Sequence, residues 1–243
     1  MSERLPPAPG GRAARALDRA RQRAGDGLAG RTVWSVAGLP DHDGSSGRMI
    51  AHLAWAEDHG VSAARLEVRG DEPLSTLGEI LQAMLSGRAS GSAALAAAER
   101  AIFFDATRGG DAMVGRDVAP DDIVVLQDAL AAVTAQAARE RGAHVVWCLD
   151  VGDASAGPAV AAWTFLRPFT RAVDAYLVAG PERRQRSTAF AAALPCSSTV
   201  TAMDVDSASE ELGWGSMLAG VVGADRTDTV GGTLHVRPTV AAR

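Results

Sequence analysis

The residues from Asp121 to Gly152, DDIVVLQDALAAVTAQAARERGAHVVWCLDVG, constrain the fold more than any other stretch, because they read as strand, helix and strand. Ile123-Val124-Val125-Leu126 is a short unbroken apolar run, and His144-Val145-Val146-Trp147-Cys148-Leu149 repeats its character. Apolar runs without alternation belong to strands covered on both faces, as in the middle of a parallel sheet. Between the two, residues 129–141 are rich in Ala, carry Arg139, Glu140 and Arg141 at their end, and stop at Gly142. That pattern predicts a crossover helix closed by a residue suited to the left-handed conformation. Parallel sheets take their ligands at the carboxyl ends of their strands, which directs attention to Gln127-Asp128 and to residues 150–153. Both ends carry carboxylates.

The rest of the chain repeats the alternation. Residues 31–37 predict a first strand, and a Gly/Ser loop, residues 38–47, leads into a helix over residues 48–59. Such a loop presents backbone N–H groups at a helix start, but it matches neither the dinucleotide fingerprint nor the P-loop. Residues 61–68 alternate Arg65 and Glu67 with Leu66 and Val68, as expected of an edge strand. Residues 74–105 read as helical with an interruption at 86–92, and residues 107–120 as a loop rich in Gly and Asp. Further elements are a helix over 158–171, a strand over 172–178, a short helix over 182–193 and a last strand over 198–205. A helical piece near 210–218 precedes a Gly/Thr/Val tail. These pieces predict a single α/β, Rossmann-like domain over residues 30–206, with a mainly parallel sheet and helices on both faces. Residues 1–29 read as a disordered and partly helical extension, in which 12–24 alternate Arg with Ala, and residues 207–243 as a C-terminal helix and tail.

Composition narrows the function classes. A formal net charge of −5 and no Lys among 243 residues argue against nucleic acid or an anionic membrane surface as partners. Two cysteines, Cys148 and Cys196, and five scattered histidines form no ligand spacing, so no metal is expected. No apolar run approaches the roughly twenty residues that span a bilayer, and a cytoplasmic, reduced protein is the expectation.

Read together, several words resemble the N-terminal half of GT-B retaining glycosyltransferases of the trehalose synthase type. They are Gly30-Arg31-Thr32-Val33-Trp34-Ser35-Val36, Gly44-Ser45-Ser46-Gly47 entering Met49-Ile50-Ala51-His52-Leu53, the run from Asp122 to Asp128, Gly142-Ala143-His144-Val145-Val146-Trp147, and Ala162-Trp163-Thr164-Phe165-Leu166-Arg167-Pro168-Phe169 before Ala172-Val173-Asp174-Ala175-Tyr176. The resemblance implies half of a GT-B fold whose first domain cups a sugar acceptor. Gly44, Ser45, Ser46, Gly47, Arg48, Gln127 and Asp153 would bind substrate, and Asp128 and Asp150 would be the catalytic candidates. The sequence also departs from that family. Ser45 and Ser46 stand where the family has glycines, Gln127 where it has His, and Cys148-Leu149-Asp150 where it has a basic residue, Cys and His.

After residue 206 too little chain follows for the second domain that holds the nucleotide in such enzymes. The resemblance therefore implies no cofactor of the chain's own, a nucleotide sugar being held only with a partner domain. Three readings stand: an accessory subunit that pairs with a full or partial glycosyltransferase and offers an acceptor-side sugar-binding surface, a non-catalytic sugar-responsive or scaffolding pseudoenzyme, and a stand-alone or homo-oligomeric enzyme.

Overall fold

A computed structural model describes residues 26–39, 53–89, 95–150, 157–179, 199–202, 218, 221 and 234–236. Seven strands form one sheet: β1 (Thr32–Ala37), β2 (Ser62–Glu67), β3 (Ile123–Leu126), β4 (His144–Asp150), β5 (Ala175–Ala179), β6 (Thr199–Ala202) and β7 (Leu234–Val236). Their order is β2-β1-β3-β4-β5-β6-β7, and every neighbouring pair is parallel except β6 with β7. The two unbroken apolar runs are β3 and β4. All four residues of β3 are buried, as double coverage requires. At the β2 edge the burial alternates, leaving Arg65 and Glu67 beside a buried Leu66, and charges on an edge strand discourage pairing with another sheet.

Helices cover both faces, as the doubly wound reading predicts. On one face lie α1 (Glu72–Leu85), α2 (Ala97–Asp117), the 3-10 turn Leu130–Thr134 with α3 (Ala135–Glu140), and α4 (Gly157–Leu166). They bury Leu77, Leu81, Met84, Phe103 and Phe165 against Val36, Val124 and Trp147 of the sheet. The opposite face buries Val33, Ile123, Val125 and Val146 under Leu28, Trp55, Ala56 and Leu218. Leu28 and Leu218 are fully buried there, and β7 pairs with β6, so the core and the sheet draw on residues outside 30–206.

Helix α1 shows how the local code works. Asp71 accepts from the Leu74 N–H at 3.1 Å, Pro73 stands in the first turn where its missing donor costs nothing, and Gly87 beyond the end holds φ at 74°. Its buried residues Leu74, Leu77, Gly78, Leu81, Met84 and Leu85 fall on one stripe.

Residues 107–120, read from sequence as a loop, are corrected by the structure: α2 continues through them to Asp117. Gly110 is buried on the helix face toward the 3-10 turn, where an added Cβ would stand 3.0 Å from the Val133 carbonyl oxygen. That glycine lets two backbones approach closely; it does not end the helix. The crossover over residues 129–141 is also split, beginning as a 3-10 turn and becoming α-helical only at Ala135.

Two aspartates pin the amino ends of the strands. Asp122, which immediately precedes β3, accepts from the Thr32 N–H and the Trp34 Nε1–H at 2.9 Å each, and from the Ala119 N–H at 2.9 Å. Asp174, before β5, accepts from the Val145 N–H at 2.9 Å and pairs with Arg139 at 3.0 Å. Each joins its own strand to the neighbouring one. Among the described residues no helix is long and apolar enough to cross a membrane.

Candidate functional site

The strand order reverses between β1 and β3. The connection leaving β1 packs Trp55 and Ala56 on one face, whereas the connection leaving β3 packs Leu130 and Ala131 on the other. At such a switch point the two connections diverge and leave a crevice outside the carboxyl ends of the strands, the usual ligand position in open α/β sheets. The described residues at that crevice are Gly38 and Leu39 after β1, and Gln127 and Asp128 after β3.

Asp128 ties the two sides together. Its Oδ2 accepts from the Gly38 N–H at 2.8 Å and the Leu39 N–H at 3.0 Å, and its Oδ1 accepts from the Ala131 N–H at 2.8 Å. The last bond starts the 3-10 turn in the manner of a helix cap. Gln82 of α1 adds a fourth tie, accepting from the Ala129 N–H at 3.0 Å. Burial pushes the Asp128 carboxyl above the usual carboxylate range, and the N–H groups of Leu39, Gly38, Ala131 and Leu130 pull it down without cancelling that effect. Leu130 fills the space beneath. A Cβ on Gly78 would lie 2.9 Å from Leu39 and 3.2 Å from Leu130, so α1 reaches this corner through a glycine.

Gln127 faces the other way. Its Nε2 donates to Ser35 Oγ of β1 at 3.0 Å, and its backbone N–H donates to the Val36 carbonyl at 2.9 Å. Gln127 is 3% exposed and Ser35 2%. Yet Gln127 Oε1 is buried without a hydrogen-bond donor. Leaving such an acceptor unpaired costs about 1–3 kcal/mol, and buried orphans of this kind are uncommon in native proteins. The pair register sets Leu126 opposite Trp147, so Cys148, whose side chain joins the same face as Val125, follows at the next level of β4.

Of the site residues expected from sequence, the structure therefore brings Gln127 and Asp128 to one corner. Asp150 ends β4 opposite Ala179, on the same carboxyl edge, because β1, β3 and β4 are adjacent and parallel. Gly44, Ser45, Ser46, Gly47, Arg48 and Asp153 lie outside the described residues. Sequence reasoning missed Ser35 as a member of this corner; its one signal was a polar residue inside an otherwise apolar strand. Among the described residues no group of His, Cys, Asp and Glu is arranged to hold a metal ion.

Fold and corner together define a doubly wound α/β protein with a polar corner at its switch point, whose described ionisable groups are acidic. Comparison with protein-family models and with curated proteins finds no match.

Proposed function

We infer that the chain is a glycosyltransferase-like accessory subunit that offers an acceptor-side, sugar-binding surface to glycosyl transfer carried out with a partner. The observation that carries this reading is Gln127. Its amide is held by Ser35 at the switch point with one buried acceptor unfilled, and a sugar hydroxyl donates the hydrogen bond that acceptor lacks. The sugar itself comes from the sequence resemblance to trehalose synthase-type transferases.

Two features favour binding over catalysis. Both oxygens of Asp128 are committed to backbone N–H groups, so the carboxylate latches the crevice and is poorly placed to exchange protons with a substrate. A departing nucleoside diphosphate also needs preorganised positive charge. Gly38, Leu39, Gln127, Asp128 and Asp150 at the described strand ends are neutral or acidic.

The test is turnover with UDP- or ADP-glucose and glucose, measured alongside the mass of the protein in solution. The purified chain is expected to show no transfer and little affinity for nucleotide sugars. Robust turnover by a monomer would contradict the accessory role and make Asp128 and Asp150 the first residues to replace with Asn.

A further inference from the structure

We propose a second binding site, unrelated to the switch-point crevice, in the groove between α1 and α2, whose ligand is a small aliphatic cation: an ammonium or guanidinium carried on a short hydrocarbon chain. The groove is open to solvent, has a volume of about 370 Å³, and is lined by Glu72, Pro73, Thr76, Leu77 and Ile80 of α1 with Glu99 and Ile102 of α2. That volume lies at the lower end of the range for small-molecule sites. The groove combines an apolar and an acidic lining, its two glutamates standing in the first turns of α1 and α2. Leu77, Ile80 and Ile102 give it an apolar floor, and Ile80 remains 41% exposed. Glu72 and Glu99 supply two carboxylates to the same walls.

The second observation concerns Glu99. Its Oε2 is shut off from water and accepts no hydrogen bond. A carboxylate oxygen withdrawn from solvent without a donor is costly, and a cation is its natural partner. Among the described residues no basic side chain lines the groove, and the ion pairs involve neither Glu72 nor Glu99. A neutral hydrocarbon would cover Ile80 and leave Glu99 unpaired. A strongly hydrated inorganic cation would do the reverse. An alkyl ammonium or guanidinium satisfies both, its chain against Ile80 and Ile102 and its head at Glu99.

The experiment is a methyl-detected NMR titration of the full chain, with assigned Leu77, Ile80 and Ile102 methyl groups, using 1,4-diaminobutane, n-butylguanidine, 1-butanol and butyrate as probes. The two cations should give saturable shifts confined to the groove, while 1-butanol and butyrate give weaker ones or none. Glu99→Gln should weaken the cations by about fivefold, the effect of removing one partly screened ion pair. Asp111→Asn, a charge loss elsewhere on α2, should leave them unchanged. The proposal is overturned by any of three results: no shift with either cation, equal affinity for 1-butanol, or Glu99→Gln binding as the wild type does. All readouts are local to the groove, so they are independent of whether the chain binds sugar.

Discussion

The Asp128 carboxylate reaches back from the end of β3 to take the N–H of Gly38, the residue just after β1, at 2.8 Å, across the point where the sheet reverses its order. One side chain thereby fixes where the two connections part. Asp128→Asn keeps the shape but offers a single acceptor oxygen and turns an N–H₂ group toward backbone donors. The expected loss of stability is about 1–3 kcal/mol, read from the urea midpoint at constant slope. An unchanged midpoint would show that the latch contributes nothing.

The same carboxyl gives a pH dependence with a definite sign. Burial raises its folded pKa above the unfolded value, so between those two values the folded state holds more protons. Stability from this group is then fullest below the unfolded pKa of about 3.9 and falls as pH rises through the folded pKa. Urea titrations across that window should show the wild type's advantage over Asp128→Asn shrinking as pH rises. An advantage that grows with pH would mean that the four backbone donors outweigh burial.

Ser35 and Gln127 form a pair whose removal should separate stability from binding. Replacing both partners of a buried hydrogen bond with apolar groups of similar shape is often neutral or stabilising. The double variant Ser35→Ala/Gln127→Leu also removes the orphaned Oε1, so it should match or exceed wild-type stability within about 1 kcal/mol. It should nonetheless lose sugar binding. A large destabilisation would assign the pair to the framework alone.

Gly109 and Gly110 sit side by side in α2 and should respond in opposite directions. An added Cβ at Gly109 meets nothing within 4 Å, so Gly109→Ala should stabilise the helix by up to about 1 kcal/mol. At Gly110 the same methyl group lies 3.0 Å from Val133 O and 3.3 Å from Thr134 Cγ2, and Gly110→Ala should cost about 1–3 kcal/mol. Thermal unfolding of the two variants checks both signs.

Those glycines also show why part of the fold was hidden in the sequence. The central strands were legible because burial on two faces leaves an apolar word with no alternation, and Ile123–Leu126 and His144–Asp150 fall where that word does. The second half of α2 was not legible, since Gly109, Gly110 and Gly115 read locally as breakers while the helix is held by Phe103 and Val114 in the core. Strand β7 is three residues long and finds its partner β6 only in the assembled sheet. At the crevice, Gln127 and Asp128 were accessible because position after a parallel strand is itself a signal. Their partners were not: Ser35 is 92 residues from Gln127, and Gly38 is 90 from Asp128. No spacing rule announces such pairs, and the same distance concealed the Asp122 clip onto Thr32.

The most direct test of the sugar-binding account is an NMR titration of the full chain with glucose, followed at the Gln127 side-chain amide and the Ser35 and Val36 backbone amides, in the wild type and in Gln127→Leu. The account predicts saturable shifts at those groups in the wild type and their loss in a folded Gln127→Leu protein. Absence of any shift at Gln127, or glucose binding that survives Gln127→Leu unchanged, would contradict it.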